Sequence, residues 1–251
     1  PVNVLGVGIS PINMEQALTQ LDAWIAHRDR EYVCICNVHS VMECRRSEAT
    51  RHVFNAAGMV TPDGMPLVWL LRMAGQRHVS RVYGPDLMLA VMERSPKAGY
   101  RHFFYGGGEG VADQLRDRLI RRFPGTRIVG TLTPAFGSVD ALATPETAAA
   151  INATGADIVW VGVSSPKQDL WMSRMRPALE APVLIGVGAA FDFHAGRIRQ
   201  APGWMQRAGL EWLFRLLHEP RRLWRRYLVD NPWFVLEVAA QRLGLRRYEL
   251  P

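Results

Sequence analysis

Polar residues follow several apolar runs of this sequence at the points where the runs end. Asn37 comes directly after residues 32–36, and Asp63 follows residues 59–60, between a proline and a glycine. In a sheet of parallel strands, ligands bind beyond the carboxyl ends, so these side chains are the first candidates for chemistry. A carboxylate there can act as a general base. A solvated aspartate in a turn suits the same spacing equally well, and the spacing alone leaves both readings open.

A run of glycines, Gly106-Gly107-Gly108, follows the apolar residues 102–105 and opens a helical stretch. Such a turn can bring backbone N–H groups and the positive helix end close to phosphates, so it is a candidate nucleotide-binding turn. Val111 stands where the G-x-G-x-x-G fingerprint has its last glycine, and no acid follows the next strand to hold a ribose. A tight turn without a ligand stays the alternative, and a nicotinamide cofactor is disfavoured.

Two further aspartates need an explanation. Asp192 is flanked on both sides by phenylalanine, a setting in which a charged group normally has a specific partner. Asp86 follows Tyr83-Gly84-Pro85 and can simply cap a helix.

Metal chemistry finds little support. The sequence contains no Asp-x-Asp pair, and its histidines lack the spacing of metal ligands. Cys34, Cys36 and Cys44 lie close together without a C-x-x-C pair, which favours buried structural thiols. We therefore expect no metal, and a bound diphosphate would be neutralised by Arg81, Lys167 and the arginines of the C-terminal part.

The apolar runs alternate with amphipathic stretches, which predicts an α/β fold with a Rossmann-like, mostly parallel sheet flanked by helices. Strands are expected near residues 32–36, 59–60, 102–105, 127–130, 158–161 and 183–187, and helices at 109–123, 145–153 and 168–179. Beyond residue 200 the pattern predicts helices at 204–217, 221–229 and 233–243, separated at Glu219-Pro220 and Asn231-Pro232. We divide the chain into an α/β core, residues 1–200, and a helical appendage, residues 201–251.

The appendage carries most of the net charge of +7. From Arg197 onward there are eleven arginines against five acidic residues, together with four of the eight tryptophans. Tryptophan and arginine together suit a lipid headgroup interface, so the composition indicates a polyanionic partner.

A chain of 251 residues, 48% hydrophobic, can bury a sizeable core. No apolar stretch reaches the roughly 20 residues of a membrane-spanning helix, and the first residues do not resemble a secretory signal. We therefore expect a cytoplasmic location.

Five ordered motifs carry a specific resemblance: residues 61–66 (TPDGMP), 81–86 (RVYGPD), 165–169 (SPKQD), 186–193 (GVGAAFDF) and, in the appendage, 201–204 (APGW) with 209–212 (GLEW). Through them the sequence resembles the WecG/TagA/CpsF glycosyltransferases. The resemblance implies an inverting, metal-independent hexosyl transfer. The donor would be a UDP-sugar and the acceptor a saccharide linked to undecaprenyl diphosphate, in the synthesis of a bacterial cell-envelope polymer or exopolysaccharide.

Matched by motif, Asp63 would be the general base, while Asn37, Arg81, Gln168 and Asp192 would line the donor and acceptor pocket. With their neighbours and the strand-end residues, the expected pocket comprises Asn37, Arg81, Gly84, Asp86, Gly106, Gly107, Gly108, Lys167, Gln168, Gly188 and Asp192. Diphosphate and membrane contacts are expected from Arg207, Arg215, Arg221, Arg222, Arg225 and Arg226. The sequence departs from the family at Ile35, where a small hydroxyl residue is common. The resemblance also implies a peripheral protein at the cytoplasmic face of the inner membrane, and self-association into a homo-oligomer.

Two other functions compete. A nucleic-acid-binding protein would also be basic and aromatic, but the arginines here are interleaved with large apolar residues, as in residues 213–217. A nicotinamide oxidoreductase conflicts with the incomplete glycine fingerprint. Helices that merely pack on the core, with solvated arginines, are the structural alternative for the appendage.

Overall fold

A computed structural model describes residues 1–250. Its strands are β1 (Val2–Val4), β2 (Val7–Ile9), β3 (Glu31–Cys36), β4 (Met59–Pro62), β5 (Arg101–Gly106), β6 (Arg127–Leu132), β7 (Ile158–Gly162) and β8 (Val183–Gly186). The core helices are α1 (Met14–His27), α2 (Val38–Arg46), α3 (Glu48–Asn55), α4 (Met65–Met73), α5 (Gly84–Ala98), α6 (Val111–Arg122), α7 (Val139–Leu142), α8 (Pro145–Asn152), α9 (Lys167–Met175) and α10 (Ala190–Ala195).

The six longer strands form one parallel sheet in the order β4-β3-β8-β7-β5-β6. This confirms the predicted α/β class and all six predicted strands. The hairpin β1–β2 was missed, because its strands have three residues each and its turn is Leu5-Gly6. Both turn residues have positive φ, 54° and 86°, a geometry that Asn-Gly or Asp-Gly would have signalled.

Helices cover both faces of the sheet. Alternate residues of β3 point to opposite sides: Cys34 and Cys36 pack in one buried cluster, Val33 and Ile35 in the other. Helices α2, α3, α4, α8 and α9 line the first cluster, and α1, α5, α6 and α10 line the second. The carboxyl ends of β3, β4 and β8 are thereby held side by side at one edge.

The appendage contains α11 (Gly203–Arg207), α12 (Glu211–His218), α13 (Pro220–Trp224), a π-helical segment (Arg225–Asp230) and α14 (Asn231–Arg242). The predicted helix at 204–217 is interrupted at Gly209, whose φ is +73°. The prediction that Asn231-Pro232 separates two helices is wrong. Backbone dihedrals stay helical at Arg225 and Asn231, and the proline lies in the first turn of α14, just after the wider π turn, where its missing N–H costs little.

The appendage packs against α2 of the core. Phe234 and Val238 enter the first buried cluster. Arg46 donates to the buried Asp230, and Arg45 lies 3.3 Å from the buried Glu237. Within residues 1–250, no helix combines the length and hydropathy needed to cross a bilayer.

Candidate functional site

A cavity of about 220 Å³ opens at the carboxyl ends of β3, β4 and β8, between the core and the appendage. Nine of the residues expected from the sequence line it: Asn37, Asp63, Arg81, Gly84, Gln168, Gly188, Arg215, Arg222 and Arg226. Ile35, the departure from the family pattern, lines it as well.

Asp63 is held at the end of β4 with only 8% of its surface exposed. Its backbone N–H donates to Cys36 across 2.8 Å, and Nδ2 of Asn37 donates to its Oδ2 across 3.3 Å. Asn37 in turn caps α2, because its side-chain oxygen accepts from the Ser40 N–H. Burial raises the pKa of Asp63 above its ordinary value, against the lowering effect of Arg81. The result is a shielded carboxylate whose affinity for a proton is increased, as a general base requires.

Arg81 lies beside this carboxylate. Its Nε donates to the backbone oxygen of Asp63, and its Nη2 lies 3.4 Å from Oδ1 of Asp63 and 2.6 Å from Oε2 of Glu211. The guanidinium stacks 3.9 Å from the centre of the Tyr83 ring. Arg81 is thus held by a backbone oxygen, two carboxylates and an aromatic ring, while 17% of its side chain stays exposed.

Gln168 lies at the start of α9 with only 3% of its surface exposed, and it contacts the end of β8. A Cβ on Gly186 would come within 2.9 Å of its Nε2, so glycine is required for the approach. Its Oε1 has no hydrogen-bond partner among residues 1–250. An unpaired buried amide oxygen that lines a cavity is free to bind a ligand.

Three arginines of the appendage converge on the cavity: Arg215, Arg222 and Arg226. Arg226 is the most enclosed; its Nη2 lies 3.3 Å from Oδ1 of Asn37, and its Nε has no partner in the described chain. Burial lowers the pKa of Arg226, and the positive charges of Arg215 and Arg222 lower it further. Arg222 also pairs with Glu219 across 2.6 Å. Three guanidinium groups beside one cavity form a candidate site for an anion such as a diphosphate.

Other expected residues lie outside the cavity lining. Lys167 donates to the Gly137 carbonyl across 2.8 Å, and Asp86 is exposed in the first turn of α5. Asp192 has its pKa raised by burial, opposed by Arg197 and Arg222. The cavity lining does not include Arg207, Arg221 or Arg225.

The glycine run also lies outside the cavity lining, and close packing accounts for it. A Cβ on Gly106 would meet the backbone of Gly162 at 2.7 Å, and one on Gly107 would meet Val111 at 3.0 Å. Both have positive φ, and the Gly107 N–H donates to the Gly162 oxygen across 2.9 Å. Because these glycines have no side chains, the ends of β5 and β7 can approach each other closely.

Two residues of the site had no predicted role. Glu211 belongs to the motif at 209–212, and Tyr83 to that at 81–86, but nothing in their spacing signals that their side chains meet.

His39 also lines the cavity, and burial lowers its pKa to about 4. Cys34, Cys36 and Cys44 are buried free thiols, as expected. In the described part of the chain, no group of three or more His, Cys, Asp and Glu residues is placed to hold a metal ion.

Two comparisons with known proteins identify the family of the chain. Residues 2–248 match the model of the glycosyl transferase WecG/TagA/CpsF family. The chain is also 28% identical, over 237 residues, to an N-acetylglucosaminyldiphosphoundecaprenol N-acetyl-beta-D-mannosaminyltransferase of Bacillus spizizenii. That alignment covers 91% of this chain and 90% of the enzyme. Because the family match spans nearly the whole chain and includes the core and the appendage, the protein belongs to the WecG/TagA/CpsF family of glycosyltransferases.

Proposed function

We propose that this glycosyltransferase moves a sugar from a UDP-sugar onto a saccharide linked to undecaprenyl diphosphate, in the synthesis of a bacterial cell-envelope polymer. The acceptor class follows the name of the Bacillus relative, whose substrate is N-acetylglucosamine on diphosphoundecaprenol. The single observation that carries the proposal is the juxtaposition of a buried carboxylate, Asp63, with three arginines, Arg215, Arg222 and Arg226, across one cavity.

The reaction we propose is a single displacement with inversion. The acceptor hydroxyl attacks the anomeric carbon while Asp63 takes its proton. The bond between that carbon and the diphosphate oxygen breaks, and its electron pair leaves with UDP. No covalent sugar-enzyme intermediate is needed, because one base and one leaving-group site suffice.

The leaving diphosphate would bind at Arg215, Arg222 and Arg226. Guanidinium groups form strong, charge-assisted hydrogen bonds to phosphate oxygens. Arg226 is enclosed, so it would stabilise developing negative charge with little competition from water, whereas the Arg222 side chain is 63% exposed. This cluster supplies the positive charge that a divalent cation provides in other glycosyltransferases, so we propose that turnover needs no added metal.

The outer surface of the appendage supports a peripheral association with the cytoplasmic face of the inner membrane. Large apolar side chains are exposed there: Trp204, Leu217, Trp224, Leu228, Val229, Trp233, Val235 and Leu236. Exposed arginines flank them at positions 221 and 225. Exposed apolar and cationic side chains together suit an anionic lipid headgroup layer. A lipid-linked acceptor would then reach the cavity from that layer.

The test is UDP release from a panel of UDP-sugars with a short-chain lipid-diphosphate-sugar acceptor, with and without a chelator. Asp63→Asn preserves shape and removes the base, so a loss of about a hundredfold or more is expected. Asp117→Asn, at an exposed position of α6 outside the cavity lining, is the matched control and should stay active. If wild type releases no UDP from any donor in the presence of acceptor and anionic vesicles, the proposal fails. Equal activity of Asp63→Asn and wild type would refute the assignment of the base.

A further inference from the structure

The appendage places a carboxylate of its own inside the cavity. Glu211 is the first residue of α12, and 16% of its side chain is exposed. Its Oε2 accepts from Nη2 of Arg81 across 2.6 Å, and its Oε1 accepts from the Tyr83 hydroxyl across 2.9 Å. Both oxygens are therefore bound by residues of the core, which lie 130 and 128 positions earlier in the chain.

Arg81 stands between two carboxylates and is bound unequally. Its Nη2 is 0.8 Å closer to Glu211 than to Asp63, at 2.6 Å against 3.4 Å. Its Nε donates to the backbone oxygen of Asp63 and not to the carboxylate. Stacking on Tyr83 holds the guanidinium in this orientation. The short ion pair of Arg81 is thus made with the appendage, while its contact with the Asp63 carboxylate is at the outer limit of a hydrogen bond.

This inequality matters for a base. An arginine that pairs closely with a carboxylate stabilises its ionised form and makes it less able to take a proton. The ionisable groups that influence Asp63 are Arg81 and Glu211 on one side, Arg226 from the π segment, and the neighbouring Tyr83 and Cys36. Of these, Glu211 raises the pKa of Asp63 and Arg81 lowers it. Removing Glu211 would remove a repelling charge and also free Arg81 to approach Asp63, and both changes lower that pKa.

We propose that Glu211 is a positioning residue, which holds the Arg81 guanidinium away from the Asp63 carboxylate when the appendage is docked. Asp63 is then free to accept a proton only in the docked arrangement. The importance of this for turnover rests on the proposed function, but the geometric claim does not. Because the segment that contains Glu211 also carries the exposed apolar surface, lipid binding and the readiness of the base are linked through one piece of chain.

The direct test follows the Asp63 carboxyl by carbon-13 NMR titration, with Asp63→Asn to assign the signal. Glu211→Gln keeps the size of the side chain and removes its charge, and we expect the titration midpoint of Asp63 to move to lower pH. Glu211→Asp retains the charge and should keep the midpoint closer to that of wild type. Glu249→Gln is the matched control, since Glu249 is an exposed carboxylate of the appendage outside the cavity lining, and it should leave the midpoint in place.

The same variants have a kinetic signature. In Glu211→Gln we expect kcat to fall about tenfold, with the acidic limb of the pH profile displaced to lower pH and the donor KM nearly unchanged. A role confined to folding would reduce the amount of active protein and move neither the limb nor the midpoint. If Glu211→Gln does not fold, Glu211→Ala makes the same test.

The titration needs no substrate, so it separates the two proposals. A midpoint that is the same in wild type and in a folded Glu211→Gln protein overturns the role of Glu211, whether or not sugar transfer is found. A shifted midpoint in a protein that transfers no sugar would support the role of Glu211 and sink the proposed function alone.

Discussion

Nη2 of Arg226 lies 3.3 Å from Oδ1 of Asn37, so the appendage touches the residue that orients the proposed base. The other end of the same amide donates to Asp63 across 3.3 Å. The anion site and the base therefore share one side chain, and a ligand that engages Arg226 acts within two hydrogen bonds of Asp63.

Replacing Arg226 by lysine should weaken the diphosphate site. The planar guanidinium of arginine carries several N–H donors in a fixed orientation, so it can bind Asn37 and a phosphate at the same time. The ammonium of lysine is a compact charge on a single nitrogen and cannot contact both. Loss of one hydrogen bond to a charged group corresponds to about tenfold to a hundredfold in kcat/KM. This loss is measured from the kinetics of UDP release and from the affinity for UDP. Arg221→Lys, an exposed arginine outside the cavity lining, is the control, and an equal loss in both variants would argue against a specific site.

Asn37→Ala should affect both stability and chemistry. The substitution removes the cap of α2, which costs about 1 kcal/mol, and it removes the donor to Asp63. Because that hydrogen bond lowers the pKa of Asp63, its loss should move the acidic limb of the rate profile to higher pH. Ser47→Ala removes the comparable cap of α3 away from the cavity. It should lose similar stability in urea unfolding and keep the wild-type pH profile; a displaced limb in Ser47→Ala would contradict the assignment.

Gly186→Ala should displace Gln168. The new Cβ would lie 2.7 Å from the terminal carbon of Met172 and 2.9 Å from Nε2 of Gln168, both well inside van der Waals contact. We expect a loss of stability of about 1–3 kcal/mol and a rise in the donor or acceptor KM. Thermal unfolding and steady-state kinetics report the two effects. Gly203→Ala meets no atom closer than 3.4 Å, and it should leave both properties unchanged.

Stability should depend on the neutral state of His102. Its ring is fully buried, Nδ1 accepts from Nε1 of Trp160 across 3.1 Å, and Nε2 lies 2.8 Å from the Ser95 hydroxyl. Burial lowers the pKa of His102 to about 3, whereas an unfolded histidine titrates near about 6.5. Between these values the unfolded chain binds a proton that the folded chain does not. The contribution of His102 to stability is therefore complete above about pH 6.5 and falls, by up to about 1.4 kcal/mol per pH unit, as the pH drops towards 3.

Asp169 acts in the opposite direction over part of this range, because burial raises its pKa to about 7. The measurement is therefore a difference between proteins. Urea unfolding of wild type and His102→Phe at about pH 7 and about pH 5 should show less acid destabilisation in the variant. Equal slopes would show that His102 is not the source.

Binding to anionic vesicles should depend on the exposed face of the appendage. Trp233 and Leu236 are 50% and 63% exposed, and burial of the remaining exposed surface in a lipid interface would contribute roughly 1–2 kcal/mol each. Replacing either by serine should lower vesicle affinity about tenfold or more in a sedimentation assay. Phe136→Ser is the control, because it removes a fully exposed aromatic side chain that belongs to residues 1–200 and not to the appendage. If the tryptophan variant instead changes the molecular mass in solution and leaves vesicle binding intact, the surface is a contact between copies of this chain.

The sequence was most informative where a single element carried the signal. Each strand of the six-stranded sheet contains a short apolar run, and Asn37 and Asp63, which follow β3 and β4, lie at the carboxyl ends of those strands as expected. The glycine run has the composition of a phosphate-binding turn, but the contact of Gly106 with Gly162 depends on a strand more than fifty positions away. The same holds for Glu211, whose partner Arg81 is 130 residues distant. The periodicity of a sequence predicts which residues lie on each face of one helix or strand. It does not predict which side chains from distant parts of the chain will contact those residues.

The π segment at Arg225–Asp230 determines how the long helix of the appendage divides its faces. A side chain four positions further along an α-helix is displaced by about 40° around the axis, and the wider i→i+5 turn displaces it in the opposite sense. Arg222, Arg226, Asp230, Phe234 and Val238 recur every four residues along this helix; Arg222 and Arg226 line the cavity, and Phe234 and Val238 enter the first buried cluster. In an unbroken α-helix the same residues would wind progressively around the cylinder. One helix therefore lines the ligand cavity at one end and packs in the hydrophobic core at the other.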